Sequence, residues 1–458
     1  MEKEHKLENS FWKIALVFGI LIALLMPIMQ IQDEDTHTMR SVNMAYLNFF
    51  DYKEGFDIPY SIYSYIGNYT ENQGVYVFEN NPEYRINWKV FKEAAKIPLD
   101  DSNRVFFRDG DENSLRTGLY GNLSYCVQGL GILVGRIFHL PIYWTLILGR
   151  FTKLIFYIVL IYWAIKIIPV GKEVVFVIAL LPNNIQYAAS LSPDGVLTSC
   201  SLLFVAYILY LKNRDDVVQK KDWVILLILI AFIFNVKYIY SIQGLLILTI
   251  PKEKLFPNIT IPKLSKKQKI GFACFFVILV GVGYGVAYQM SGALGECARH
   301  PINFLLSVFN TIQIRANFLA VSLVANFGTG PVNLPYIVSY GILMFAIFSS
   351  YLQIGNASDK EEVKSISYKD IVIFILATIL IVTTIFMAGI LIGAATLADG
   401  ATLCSGLLGR YFVVPLSLTL ILCRKIGFRV KVNYYLVNSL IIAYMTYSCY
   451  FIANRYWL

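Results

Sequence analysis

Charge is scarce in this chain. Asp, Glu, Lys and Arg together make up only 15% of its 458 residues, while 57% are apolar. No soluble domain of this length needs so much apolar surface, which excludes an ordinary soluble enzyme or binding module. Thiol signals are equally thin. The seven cysteines (Cys126, Cys200, Cys274, Cys297, Cys404, Cys423 and Cys449) are scattered, none forms a CxxC pair, and most lie in apolar stretches. They read as small buried apolar residues, not as a redox or metal motif. No small-residue cleavage site follows the first apolar run, so that run reads as a retained span and not a signal peptide. No internal repeat is visible. The net charge of +9 does not call for nucleic acid, because Lys and Arg cluster in short loops between apolar blocks, as cytoplasmic loops do under the positive-inside rule.

What the sequence does have is apolar blocks of roughly 20 residues, the length that crosses a bilayer. The fold class is therefore an all-α polytopic integral membrane protein, read as one transmembrane domain over 1–458. The first span covers about 11–30, after a short N-terminus placed in the cytoplasm. Residues 31–117 hold no block that crosses, and read as one long first extracytoplasmic loop, with an amphipathic helix over 38–50 lying on the membrane. Further blocks follow at about 118–138, 142–165, 173–190, 194–211, 223–250, 270–290, 302–325, 332–351, 371–392, 409–423 and 433–452.

Loop charge and parity constrain the crossings. Lys212–Lys221, Lys252–Lys269 (six lysines) and Arg424–Lys431 are basic and cytoplasmic, while 356–369 is mixed in sign. The first two lie on the same side, so 223–250 enters and returns as two short helices broken near Asn235–Lys237. Four blocks stand between the long loop and Lys212, where an odd number of crossings is needed. One block must lie on the surface or re-enter, and 118–138 is the candidate. The block 302–325, interrupted by Gln313 and Arg315, is ambiguous in the same way. The total is about 10–13 spans.

The polar residues collect toward one face. The stretch IQDEDTH places Asp33, Glu34, Asp35 and His37 at the outer end of the first span. Asn183, Asn184, Ser192 and Asp194 lie in LLPNNIQYAASLSPDG, Arg410 and Tyr411 open GRYFVVPL, and Lys237 sits in the break of the short hairpin. Arg150 and Lys153 fall inside an apolar block. An unpaired charge in the bilayer costs roughly 2.5–3.5 kcal/mol, so such residues face a cavity or a partner. Arg150, Lys153, Lys237 and Arg410 are candidates to hold an anion, with a lipid-carrier phosphate as the one that membrane chemistry supplies. Arg150 can equally serve a structural pair with a carboxylate such as Asp194. Asp33 and His37 at i, i+4 leave room for a divalent cation without completing a ligand set. Asp109, Asp111 and Glu112 read as a hydrophilic turn and not a calcium site, because the remaining ligand spacing is missing.

Four segments together resemble a bacterial family of predicted polytopic membrane proteins, a domain of unknown function associated with the GT-C glycosyltransferases. They are Asp33-Glu34-Asp35-Thr36-His37 after the first span, with Gln32 where the family has Pro; LYGNLSYCVQGLGILVGRIFHLPIYWTLILGRFTKLIFY with Gly135-Arg136 and Gly149-Arg150; LLPNNIQYAASLSPDGVL with Asp194; and Gly409-Arg410-Tyr411-Phe412 leading into Pro415. VKYIYSIQGLLILTIPKEK is similar to the family's Lys-containing hairpin. The resemblance covers most of the chain. It implies a GT-C-like bundle in the bacterial cytoplasmic membrane, with an outward-facing site. Its donor would be a polyprenyl-phosphate-linked sugar, and its acceptor a cell-envelope polysaccharide or lipid-linked glycan. No cofactor is fixed beyond a divalent cation left open. On that reading Asp33 is the general base, Glu34 and His37 orient it, and Arg410, Lys237 and Arg150 bind the donor phosphate. Asp194 and Tyr411 meet the acceptor or sugar, or are structural. A flippase or transporter for lipid-linked oligosaccharide is the rival. It expects cations spread through the depth of the bundle and repeat symmetry. A polysaccharide polymerase using a pyrophosphate-linked donor is the third reading.

Overall fold

The computed structural model describes residues 7–47, 56–72, 83–107, 122–257, 281–282, 284–290, 292–328, 332–354, 366–392 and 397–458. Asp109, Asp111, Glu112, Cys274 and most of the 270–290 block lie outside the described residues.

The apolar runs become helices, since a backbone among lipid tails must satisfy its hydrogen bonds within the segment. Helix α1 (Leu7–Leu25) stops short of the expected boundary, because Pro27 restricts the residue before it and cannot extend the ladder. A turn leads into α2 (Glu34–Ala45). Strand β1 (Phe56–Pro59), α3 (Tyr60–Asn72) and α4 (Trp88–Ala94) follow. Strand β2 (Arg104–Phe107) pairs antiparallel with β1, Phe56 opposite Phe107 and Pro59 opposite Arg104. A 3₁₀ turn at Asn122–Tyr125 opens α5 (Cys126–Ile137), which folds back on α6 (Ile142–Ile167). Helices α7 (Lys172–Ala179) and α8 (Pro182–Ala188) are the two halves of one apolar block, split at Pro182. Then come α9 (Asp194–Asn213) and α10 (Lys220–Val236), and, after an extended Lys237, a 3₁₀ helix over Tyr238–Thr249. The remainder comprises α11 (Ala293–Arg299), α12 (Pro301–Val324), α13 (Tyr336–Phe348), β3 (Leu352–Ile354) and α14 (Tyr368–Ile392). Helix α15 (Val413–Cys423), β4 (Val430–Val432) and α16 (Tyr434–Tyr456) close the chain. Strands β3 and β4 pair in parallel.

Among the described residues six helices, α1, α6, α9, α12, α14 and α16, are long and apolar enough to cross a membrane. The protein is an all-α polytopic membrane protein. The blocks 173–190 and 223–250 are each built as two shorter pieces, and most of 270–290 lies outside the described residues, so none of the three enters this count. The 223–250 block breaks where expected, at Lys237. The 118–138 block yields only the 12-residue α5, about 18 Å long and too short for a hydrocarbon layer of about 30 Å. Helix α12 runs unbroken through Gln313 and Arg315.

Two packing features position the polar residues. Helix α5 lies directly on α6 because its glycines remove the side chains that would intervene. A Cβ at Gly131 would sit 2.4 Å from Leu148 O, and one at Gly135 2.8 Å from Thr145 Cα, the close backbone approach that small residues permit between membrane helices. Helix α9 is buried almost throughout. Its first residue, Asp194, and its last turn, with Lys212, mark opposite ends of the bundle about 27 Å apart. The Lys212 end is basic and tied together. Lys212 pairs with Asp370 and Arg214 with Asp222. The N–H of Val218 donates to Lys254 O at 2.9 Å, which puts the two basic loops on one side.

Helix α2 departs from expectation. It starts four residues early and is enclosed, not laid on the membrane. Two of its hydroxyls are satisfied internally: Thr38 Oγ1 donates to Glu34 O at 2.6 Å and Ser41 Oγ to His37 O at 2.7 Å. The segment after it is held to the bundle by Tyr46, whose ring lies between the guanidinium groups of Arg104 and Arg136 at 4.3 and 3.8 Å.

Candidate functional site

Four separate pieces of chain bring charged side chains to the Asp194 end of α9. The first is the turn into α2. Asp33 adopts a left-handed backbone, φ 61° and ψ 12°, a conformation that Asp tolerates better than most residues. The second is the loop after α8, where Pro193 precedes α9 and Asp194 occupies its first turn, a position that the helix dipole favours for a carboxylate. The third is Lys237, the single extended residue between α10 and the 3₁₀ helix. The fourth is a 3₁₀ turn, Gly409–Phe412. A Cβ at Gly409 would fall 2.1 Å from Leu319 O and 2.2 Å from Leu323 N, so glycine lets this turn lie on α12. The Gly409 N–H then donates to Ser322 Oγ at 2.7 Å.

The charges interlock. Arg410 Nη2 donates to Asp33 Oδ2 at 2.5 Å, and Nη1 donates to Tyr187 Oη. Arg410 Nε lies 2.9 Å from Asp194 Oδ2, an ion-pair distance, although both atoms fall outside hydrogen-bond geometry. Lys237 Nζ donates to the other Asp194 oxygen at 2.8 Å. Aromatic faces enclose the cations. Lys237 Nζ stands 4.1 Å from the Tyr411 ring centre, and Arg410 Cζ stands 4.8 Å from that of Tyr187. The Tyr411 carbonyl accepts from Tyr240 Oη at 2.8 Å. A cleft lined by Asn184, Tyr187, Asp194, Thr198, Lys237, Tyr240, Arg410 and Tyr411 opens here. The Arg410 side chain is 3% exposed and that of Asp33 is 50% exposed, so the guanidinium is sealed in place while the carboxylate on its rim is reachable.

Not every candidate joins this cleft. Arg150 pairs with Glu34 and not with Asp194. Its Nε donates to Glu34 Oε1 at 2.9 Å and Nη2 to Oε2 at 2.5 Å, and both side chains are fully buried. The remaining Arg150 donors meet the carbonyls of Ala23, Met26 and Pro27. Lys153 is buried and donates to Ser190 Oγ at 3.2 Å and to Ser192 O. Asn183 turns inward, donating to Ser322 O at 2.8 Å, whereas Asn184 stays on the cleft wall with its amide donating to Ile178 O at 2.6 Å. Asp35 makes no ion pair among the described residues, and burial pushes its carboxyl above the ordinary range. Among the described residues no group of three or more His, Cys, Asp or Glu stands together to hold a metal ion.

His37 is buried beneath the cleft, with Nδ1 2.8 Å from Tyr125 Oη. Burial lowers its pKa from 6.5 to about 3. The imidazole is therefore neutral at physiological pH. It is a weak proton acceptor and serves better as a hydrogen-bonding prop. Its folded pKa lies below its unfolded one, so its contribution to stability is intact above 6.5 and is lost as the pH falls toward 3. Over that window the unfolded chain takes up a proton that the folded chain refuses, a slope approaching about 1.4 kcal/mol per pH unit. Melting of the detergent-solubilised protein between pH 6.5 and 4 should thus be steeper for the natural chain than for His37→Gln. Equal slopes would contradict this assignment.

Two contributors escaped the sequence reading. Tyr187 and Tyr240 hold Arg410 and Tyr411, yet each reads as one aromatic among 31 tyrosines. For Tyr187 a signal existed: it lies between Asn184 and Ser190 in the most polar stretch of an otherwise apolar region.

Residues 16–420 match the family model described as "Predicted membrane protein (DUF2142)". No curated protein and no solved structure matches the chain.

Proposed function

From the premise that the chain belongs to the DUF2142 family of predicted membrane proteins, we propose that it is a GT-C type glycosyltransferase. It would move a sugar from a polyprenyl-phosphate donor to a cell-envelope glycan on the outer face of a bacterial cytoplasmic membrane. The observation that carries this reading is Arg410. It is buried and fixed between Asp194 and Tyr187, with its remaining nitrogen on the half-exposed Asp33.

A lipid phosphate at the bilayer boundary would compete with Asp33 for Arg410 and approach Lys237. With Asp33 in place the four groups balance; with Asp33 displaced, two cations against the deeply held carboxylate of Asp194 leave a surplus of one positive charge. That suits a phosphate diester, with one negative charge, better than the pyrophosphate a polymerase donor carries. The released Asp33 would accept the proton of an acceptor hydroxyl, whose oxygen bonds to the anomeric carbon. The carbon–oxygen bond to the phosphate breaks in the same displacement, and the anomeric centre inverts. Arg410 and Lys237 would stabilise the phosphate as it leaves, because preorganised donors act most strongly where charge develops. Tyr411, half-buried at the cleft, offers an aromatic face for the sugar. Glu34 and Arg150 lie outside this chemistry: their hydrogen-bonding capacity is used internally and neither is exposed.

The rival transport reading expects cations spread along a path through the bundle. Arg410 and Lys237 instead share one cleft at one end, and Arg150 and Lys153 are consumed by internal partners, which favours the transferase.

The test compares cells carrying the natural chain, a deletion and Asp33→Asn at equal protein level. Loss of a general base costs roughly 10²–10⁴-fold. Deletion and Asp33→Asn should therefore lose the same envelope sugar substituent while its lipid-linked form accumulates. An unchanged glycan in the deletion strain would contradict the enzyme reading. An active Asp33→Asn would contradict only the choice of base.

A further inference from the structure

The turn between α1 and α2 carries two non-glycine residues in the left-handed region, Met29 at φ 67° and Asp33 at φ 61°. Each costs about 1 kcal/mol or more and persists where the surroundings impose it. At Met29 one carboxylate does so. Glu34 Oε2 accepts the Met29 N–H at 3.1 Å, and Oε1 accepts the Leu191 N–H at 2.9 Å. Met29 belongs to the turn that aims Asp33. Leu191 belongs to the Ser190–Pro193 loop that delivers Asp194. Two more side chains hold that loop: Gln128 Nε2 donates to Leu191 O at 3.2 Å, and Lys153 Nζ donates to Ser192 O. Arg150 locks Glu34 from behind and fastens the end of α1 through Ala23, Met26 and Pro27. The pair thus touches both carboxylate-bearing segments without reaching the cleft.

We infer that Glu34 and Arg150 are positioning residues that set Asp33 and Asp194 on two neighbouring nitrogens of Arg410, Nη2 and Nε. The strut holds the turn and the loop at a fixed separation. With it, Asp33 stays on the guanidinium as a competitor that phosphate must displace. Without it, Asp33 drifts off and the two carboxylates lose their common register. The inference rests on the phosphate-binding reading for the second of its two tests only.

Two variants of the full chain are needed. Glu34→Gln keeps the shape but turns an amide toward backbone N–H groups and strands Arg150. Glu34→Leu with Arg150→Met removes both charges together, which buried ion pairs often tolerate, and so keeps the question open if the first variant does not fold.

The first measurement is hydrogen exchange of the purified protein in nanodiscs. Peptides over 26–37 and 188–196 should both exchange about tenfold faster in the double variant, a local opening, while 205–214 at the far end of α9 keeps its natural rate. Loosening of one segment alone, of neither, or of the whole chain overturns the inference. The second is binding of farnesyl phosphate. In the natural background Asp33→Asn should tighten binding about tenfold by removing a competing anion from Arg410. In the double variant the same substitution should change it by less than about twofold, the interaction term of a double-mutant cycle. Equal tightening in both backgrounds overturns the strut. No tightening in the natural background counts against phosphate binding at Arg410, and the exchange result then decides the strut alone.

Discussion

Replacing Arg410 by glutamine is expected to cut sugar transfer by roughly 10²–10³-fold, the scale for removing one preorganised donor from a site of developing charge. The folded protein should survive, because Asp194 keeps Lys237 and Asp33 can turn to water. Activity and stability thus separate. Arg410→Lys should fare little better. The guanidinium serves Asp33, Asp194 and Tyr187 from three nitrogens held in one plane, whereas an ammonium is a point charge on a flexible stem. The check is the envelope substituent and its lipid-linked precursor, each normalised to protein in the membrane. Near-natural transfer by Arg410→Lys would mean that only charge is needed, and that the planar clamp is not.

Asp194→Asn should act the other way round, through the fold. Lys237 and Arg410 share this carboxylate, and their side chains are 13% and 3% exposed. Neutralising it sets two nearly buried cations side by side without their common counter-ion. Breaking a buried pair in this way costs about 3–5 kcal/mol. A lower yield of folded protein and a lower melting temperature are therefore expected, along with lost transfer. Adding Lys237→Met should recover much of the stability, by a coupling of about 1–3 kcal/mol between contacting residues, without restoring transfer. If the second substitution merely adds its own destabilisation, the shared counter-ion is not what holds this end of the bundle together.

Much of this architecture is legible in the sequence, for identifiable reasons. A charge in the middle of an apolar run has few solutions, so the break at Lys237 follows from its surroundings. Parity between the long first loop and the Lys212 loop requires a block that does not cross, and α5 is too short to do so. The members of the cleft were legible as types, since Arg410 and Asp194 are polar residues at the margins of apolar blocks and Lys237 interrupts one. Their pairing was not. Glu34 meets Arg150 across 116 residues and Asp33 meets Arg410 across 377, separations on which local pattern is silent. Nor does spacing rank three successive carboxylates. The backbone divides them: a left-handed Asp33 followed by a helical Glu34 sends adjacent side chains to the rim and to the interior. The enclosed α2 was misread for a related reason. Its threonine and serine hydroxyls return to their own helix carbonyls, so a face that reads as polar behaves as core.

On the proposed function, this cleft holds the phosphate end of a polyprenyl lipid. The most direct measurement is photo-crosslinking of the full chain in nanodiscs with a diazirine-bearing polyprenyl phosphate, mapped by peptide mass spectrometry. Labelling should be confined to the segments around Tyr187–Thr198, Lys237–Tyr240 and Arg410–Val414, competed by unlabelled polyprenyl phosphate and lost in Arg410→Gln. Labelling spread along the depth of the bundle toward the Lys212 end, or unchanged in Arg410→Gln, would contradict it and favour a transport path.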